Sequence, residues 1–388
     1  MANRIKATTG EEEQRSSWAD LPFGPLCLIK SHLIGADLTR LSFVCKSWSL
    51  SPPPIPPFFS PAATLQFFKF PLLAFLDDDS SSVCKFFSPV FSATHGMIIP
   101  ELENSKIRFS KDGWLLVTQV NFAIFFLNPF TKEKIDLPSP RLGEFEYNQF
   151  SFSFSSRPTS PDCTVVMISV TSANTVSSCH IRRGQTAWIT HLHFSNCEEF
   201  FPCFSNPLFH KGKLFCLSAQ EEKLRIFDPW DDRLPYYNIY FPPYFTRNWK
   251  CYLIDCNEDL LAVFEDFRGE WMHVYSLEKS ERRSDWNIEE SLGERMLFVS
   301  RTASVSATIR GIVSSSQLQN KVYLPRFKGE DGLFYSLSTR QLHSFGHGYM
   351  GEDFRGTKEH LNCAWIQTNF CQYSTEELNW CTHLDILV

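Results

Sequence analysis

"DGWLLVTQVNFAIFFLNPFTKEKIDLP", Asp112 to Pro138, decides the fold. The turn signal Asp112-Gly113 opens an apolar run, a loop follows, a second apolar run ends in Asn128-Pro129, and a third segment closes on Ile135-Asp136-Leu137-Pro138. Short runs rich in aliphatic and aromatic side chains, bounded by turn residues, are the pattern of strands. Asn-Pro and Asp-Pro steps initiate turns, so each marks a strand end. The same order recurs in "KGKLFCLSAQEEKLRIFDPWDDRLPYY" (Lys211 to Tyr237), in "EDLLAVFEDFRGEWMHVYSLEKSERRSDW" (Glu258 to Trp286) and in "NKVYLPRFKGEDGLFYSLSTRQLHSF" (Asn320 to Phe345). Equivalent strand starts at Leu214 and Leu260 are 46 residues apart, and Leu115 and Leu214 are 99 apart, which leaves room for two units. A period of about 40–50 residues built of strand-turn-strand units is that of propeller blades. The texture runs from about Leu65 to the C-terminus and predicts a mainly β array of six or seven blades over residues 62–388. "FSFSSRPTSPDC" (Phe152 to Cys163) and residues 346–360 blur the period. The last strand, near "HLDILV" (His383 to Val388), is expected to close the ring against early strands, since an unpaired edge is a liability.

Composition bounds what this array does. The chain has 388 residues, more than one ordinary core holds, with 43% apolar and 21% charged residues, which are globular values. Its 37 phenylalanines supply large flat side chains for a strand-built core. A net charge of −6 argues against a nucleic-acid partner, for which basic faces supply most of the affinity. Basic clusters such as Arg182-Arg183 and Arg282-Arg283 are dipeptides that read as solvated surface. The 13 cysteines are odd in number, scattered and without C-x-x-C, so reduced thiols in a cytosolic or nuclear protein are expected. The N-terminus "MANRIKATTGEEEQRSS" lacks the apolar core of a secretory signal, and no apolar run approaches a membrane span. The expectation is therefore a nuclear or cytoplasmic protein with no membrane partner.

Ahead of the array stands a piece of different texture. Residues 1–17 are small and polar and read as a disordered tail. Within residues 18–50, Asp20 can cap a helix whose first turn tolerates Pro22, and Leu26, Ile29 and Leu33 recur at helical spacing. Gly35 ends that helix and Asp37 can cap a second, on which Leu38, Leu41, Val44, Cys45 and Trp48 form another stripe. Residues 51–61 follow as a proline-rich linker, extended because each ring fixes φ and removes a donor. Two short stripes are too small to be stable unaided. They bury either against the β array as a cap or against another protein, and the spacer favours the second.

The front piece resembles the F-box. The likeness rests on Leu21, Pro22, Leu26, Ile29, Leu33, Asp37, Arg40, Val44, Cys45, Lys46 and Trp48, in that order. Gly24-Pro25 departs from it, standing where the family usually has an acidic residue and Leu; Ser49 departs too, following Trp48 where Arg is common. The resemblance implies a Skp-type adaptor as partner, with a cullin and a RING subunit reached through it. It implies an adaptor-binding surface of Leu21, Pro22, Leu26, Ile29, Leu33, Leu41, Val44, Cys45 and Trp48. Of these Leu21, Pro22, Leu26, Ile29, Val44 and Trp48 are expected to be exposed until the adaptor covers them. The β region, through "GWLL…LNPFTKEKIDLP", "LGERMLFVSRTASVS…NKVYL…GLFYSL" and "CAWIQTN", is similar to the kelch-like KIB-type β-propeller that follows F-boxes in many plant proteins; Thr368 departs from it, where Pro is common. What the two resemblances imply together is the substrate-recognition subunit of an SCF-type ubiquitin ligase, the propeller holding a target protein. The alternatives are an F-box-like protein that assembles outside ubiquitination, and an enzyme with its site in the propeller channel.

Catalytic signatures are sparse. There is no G-x-S-x-G, Walker loop, H-E-x-x-H or dinucleotide glycine pattern. His191 and His193 share one strand face and supply at most half of a metal site. "DDDSSS" (Asp77 to Ser82) reads as a polar hairpin loop, and His210 and His273 as structural histidines. The adjacent carboxylates Glu265-Asp266 and Asp231-Asp232 point apart on a strand and make poor acid–base pairs. No catalytic residue, metal or cofactor is assigned, and a non-catalytic adaptor subunit is expected.

Overall fold

The computed structural model describes residues 21, 25–26, 44–46, 48, 70–78, 80–90, 92–120, 123–139, 150–170, 176–182, 185, 187–193, 206–218, 222–228, 237–242, 249–256, 258–266, 269–279, 284–308, 318–345, 348–349 and 356–367. These residues form a mainly β protein of 27 strands in six sheets. β1 (Leu72–Phe75), β2 (Val83–Ser88) and β3 (Ala93–Ile98) belong to the first sheet. The second is β4 (Ser105–Lys111), β5 (Trp114–Gln119), β6 (Ile124–Leu127) and β7 (Lys134–Leu137). The third is β8 (Phe150–Phe154), β9 (Thr164–Val170), β10 (Val176–Arg182) and β11 (Ile189–His193). The fourth is β12 (Leu208–His210), β13 (Lys213–Ser218), β14 (Lys223–Phe227) and β15 (Tyr237–Tyr240). The fifth is β16 (Lys250–Cys256), β17 (Asp259–Glu265), β18 (Met272–Lys279) and β19 (Ser284–Ile288).

The quoted repeats coincide with strands. Asp112–Pro138 folds as β5, β6 and β7, and Lys211–Tyr237 reaches from β13 into β15. Local chemistry explains the turns. Asp112 and Gly113 both have positive φ, 51° and 85°, the geometry that lets a two-residue hairpin follow the twist of β4 and β5. The Asn128 side-chain oxygen accepts from the N–H groups of Phe130 (3.0 Å) and Thr131 (3.2 Å), so the Asn-Pro step is an Asx turn.

Six or seven blades were expected; five four-stranded blades are found. The remaining strands form one seven-stranded sheet of β20 (Arg295–Phe298), β21 (Val305–Thr308), β22 (Lys321–Lys328), β23 (Asp331–Ser336), β24 (Gln341–Ser344), β25 (Gly348–Tyr349) and β26 (Thr357–Glu359). Two features break the blade pattern. β20 and β22 run parallel, so no hairpin joins them. β22 changes partner at Pro325: Lys321–Tyr323 pair with β20, the register to β23 shifts between Tyr323 and Phe327, and Arg326–Lys328 pair with β26. Proline donates no ladder hydrogen bond, which makes it a natural point for such a bulge.

Among the described residues the array is closed by a strand that the sequence reading did not single out. β27 (Cys363–Ile366) pairs with β1, Ala364 opposite Ala74 and Trp365 opposite Leu73, while residues 383–388 lie outside the described residues. Trp365 is fully buried and donates its indole N–H to the Val299 carbonyl at 2.9 Å. The two ends of the array are thus zipped in one blade, which removes an edge.

Along the ring β27, β4, β8, β12, β16 and β21 touch neighbour to neighbour and are the innermost strands. Asn206 reaches across their polar edges. Its Nδ2 donates to the Arg108 carbonyl of β4 and, at 2.8 Å, to the Thr302 carbonyl, while its Oδ1 accepts from the Phe152 N–H of β8 at 3.1 Å. The Thr302 hydroxyl donates to the Cys363 carbonyl of β27. Asn206→Leu removes the polar atoms while filling similar volume, and stranding three backbone groups is expected to cost about 3 kcal/mol. Urea unfolding measures it; a loss below about 1 kcal/mol would mean that water replaces the amide.

Between blades the core is phenylalanine-rich. Phe154 of β8 packs edge-on against Phe109 of β4 and Phe126 of β6, with centroids 5.3 and 5.0 Å apart. Separate clusters bury the faces between the fourth and fifth blades, and between the fifth blade and the seven-stranded sheet.

Candidate functional site

Of the nine predicted adaptor-facing residues, the structure brings four together. Leu26 and Trp48 form a small apolar cluster of their own, with Leu21 and Cys45 packed against it. Pro25, Leu26, Lys46 and Trp48 have helical backbone. Pro22, Ile29, Leu33 and Leu41 lie outside the described residues, as do the tail and the proline-rich linker. One expectation is corrected. Leu26 and Trp48 are only 3% and 7% exposed, packed on each other with Leu21 and Cys45 before any partner is present. Val44, by contrast, is 59% exposed. Leu26 and Trp48 thus shield each other, and among the described residues Val44 is the predicted one left exposed.

Among the described residues the densest electrostatic feature lies between the fifth blade and the seven-stranded sheet, and the sequence did not point to it. Lys250 and Glu265 face each other across β16 and β17, and Arg326 and Glu359 across β22 and β26. The pairs cross-link into a square. Lys250 Nζ lies 2.9 Å from Glu359 and 3.6 Å from Glu265, and Arg326 Nη2 lies 3.1 Å from Glu265 and 3.5 Å from Glu359. The Tyr252 hydroxyl donates to Glu265 at 2.9 Å. Burial raises the Glu359 carboxyl, but the hydrogen bond and charge of Lys250, with Arg326 and Arg301 nearby, outweigh it and hold the group below its ordinary value. Burial, then the Glu265 charge, pushes the Tyr252 hydroxyl well above its ordinary value. A carboxylate so fully claimed by cations has no free lone pair aimed at a substrate, so the square ties two sheets together rather than doing acid–base work.

The other residues singled out in the sequence behave structurally. Asp266 accepts from the N–H groups of Glu270 (2.7 Å) and Trp271 (3.0 Å), so the adjacent Glu265 and Asp266 do separate jobs. His210 is buried with Nδ1 3.0 Å from Asp255, linking β12 to β16. Asp78 accepts from the Ser80 amide and hydroxyl within the β1–β2 turn. His191 and His193 fall on β11, and Asp231-Asp232 lies outside the described residues. Among the described residues no group of three or more His, Cys, Asp or Glu is placed to hold a metal ion, and no helix is long and apolar enough to cross a membrane. Cys45, Cys84, Cys163, Cys216, Cys251, Cys256 and Cys363 are free thiols.

The comparisons with known proteins return a β-propeller family. Residues 86–349 match the KIB1-4 beta-propeller family, and the chain belongs to that family. An F-box/kelch-repeat protein of Arabidopsis thaliana is 29% identical over 350 residues, covering 87% of this chain and 91% of its own. An F-box protein of the same plant is 25% identical over 299 residues, covering 76% of each chain. A solved structure of a functionally unknown protein from Desulfotomaculum acetoxidans aligns over 78% of this chain and 90% of its own at 10% identity, with a TM-score of 0.41, too low to carry an argument.

Proposed function

We propose that this chain is the substrate-recognition subunit of an SCF-type ubiquitin ligase. In this reading residues 18–50 bind a Skp-type adaptor, which brings a cullin and a RING subunit, and the propeller holds the target protein. The chain contributes binding and geometry, the transfer chemistry belongs to its partners, and its place is the nucleus or cytoplasm. The observation that carries the reading is one arrangement in one chain: the Leu26–Trp48 contact with Val44 facing out, ahead of a KIB1-4 propeller. It is supported by relatives named F-box proteins that align over most of the chain. The adaptor-facing surface proposed is Leu21, Pro22, Leu26, Ile29, Leu33, Leu41, Val44, Cys45 and Trp48.

Reconstitution tests it. The full chain, purified with adaptor, cullin and RING subunit, is expected to assemble and to direct ubiquitin onto a protein that co-purifies through the propeller. Deleting residues 62–388 is expected to keep assembly and lose that transfer. Assembly without transfer to any co-purified protein would leave an F-box-like role outside ubiquitination.

A further inference from the structure

We infer that the groove between β18–β19 and the β23–β24 turn is where the target protein docks, and that it takes a segment presenting one large apolar side chain flanked by lysine or arginine. The inference rests on the ligase reading above and gives its target a chemistry.

The groove has a buried apolar floor of Met272, Val274 and Tyr335 and two exposed apolar walls, Trp271 at 54% and Ile288 at 51%. Exposed large apolar side chains meeting over an apolar floor mark interaction sites, and tryptophan is the commonest anchor of such sites. Trp271 is held ready for a partner. Its N–H donates to the Asp266 carboxylate at 3.0 Å and its carbonyl accepts from the Asp266 N–H at 3.0 Å, so little backbone freedom remains to be lost on binding. On the opposite wall the Glu289 N–H donates to the Val274 carbonyl at 2.8 Å, which fixes the end of β19.

Charge selects the occupant. Arg340 on one rim lies 2.7 Å from Glu290 on the other, and the two cancel. Glu289 also lines the groove and has no ion-pair partner among the described residues. Burial, then the Arg340 charge, holds His273 below its ordinary value, so at neutral pH it adds no positive charge. The groove is left with one uncompensated carboxylate beside an apolar slot. A lysine or arginine next to an apolar anchor satisfies both, whereas an acidic or phosphorylated segment meets repulsion. A second copy of this chain, with a net charge of −6, is a poorer match than a basic segment.

A random peptide library displayed on phage, panned against the purified full chain, is the probe. Enriched peptides are expected to share a large apolar residue flanked by lysine or arginine. A synthetic peptide of that consensus is expected to bind Trp271→Ala and Glu289→Lys about tenfold or more weaker than wild type. Glu289→Lys is also expected to reverse the flank preference toward acidic residues, which a merely misfolded variant would not do. The proposal is overturned by enriched peptides without basic flanks, by no enrichment over an unrelated propeller, or by equal binding to wild type and Trp271→Ala. It is also overturned if Trp271→Ala instead abolishes concentration-dependent self-association, which would assign the groove to a second copy. Peptide binding is read without adaptor, so failed adaptor binding would overturn the ligase reading alone, and failed peptide binding the groove alone.

Discussion

Arg326→Met is expected to cost the propeller about 3–5 kcal/mol, the usual result of removing one partner from a buried ion cluster. Arg326 is 11% exposed and Glu265 only 1%, so a Glu265 carboxylate left with Lys250 at 3.6 Å and the Tyr252 hydroxyl cannot turn to water. Met fills the space of the Arg stem without its charge, which separates electrostatics from packing. The damage is expected to be shared between two sheets, since Arg326 lies on β22 and Glu265 on β17. Adding Glu265→Gln to Arg326→Met is expected to recover part of the loss, because the neutral amide still accepts from the Tyr252 hydroxyl. Gly269→Ala is expected to strike the same cluster: its φ is +75°, and a Cβ there would lie 2.5 Å from Arg326 Nη1. The pH dependence follows from Glu359, whose folded value is depressed. Its contribution is complete above its ordinary value near 4.5 and is lost as pH falls through the lower folded value. The stability gap between wild type and Glu359→Gln should therefore be widest above that pH and narrow below it. Urea unfolding at several pH values checks both expectations. A loss below about 1 kcal/mol for Arg326→Met would place the cluster with surface ion pairs.

How much of this was legible in the sequence depended on how local the cause was. Turn chemistry is local, so Asp112-Gly113 and Asn128-Pro129 marked true strand ends, and the quoted repeats fell on β5–β7, β13–β15, β17–β19 and β22–β24. The contact of Leu26 with Trp48 was not legible, because helical periodicity shows that a face is apolar and not what covers it. The blade count failed where pairing ceased to follow chain order. A parallel β20–β22 pair and a partner change at Pro325 leave no mark on a hairpin period. Closure by Cys363–Ile366 was masked because a short continuous apolar run reads alike in any buried strand. The ion square was illegible for the same reason on a longer scale: Lys250 and Glu359 are 109 residues apart and meet only through sheet packing. The groove likewise draws on two sheets, and its one local hint, Trp271 beside a glycine turn, is shared by many hairpins.

The second large effect concerns the front piece, and exposure decides which residue to change. Leu26→Ala or Trp48→Ala would loosen the cluster these two residues form with Leu21 and Cys45, so a loss of binding would have two explanations. Val44 is 59% exposed, and its replacement leaves that cluster intact. If Val44 meets the adaptor, Val44→Asp buries an unpaired charge in the interface and is expected to cost about 2–4 kcal/mol of binding. At about 1.4 kcal/mol per decade, that is roughly a 30- to 1,000-fold rise in Kd. The propeller's unfolding should not change, since its apolar clusters and the Leu26–Trp48 cluster are separate. The measurement that tests the central claim most directly is calorimetric titration of a purified Skp-type adaptor into the full wild-type chain and into Val44→Asp. The account predicts saturable binding to wild type and weakening of at least about 30-fold in the variant. No binding by wild type, or indistinguishable curves for the two chains, would contradict it.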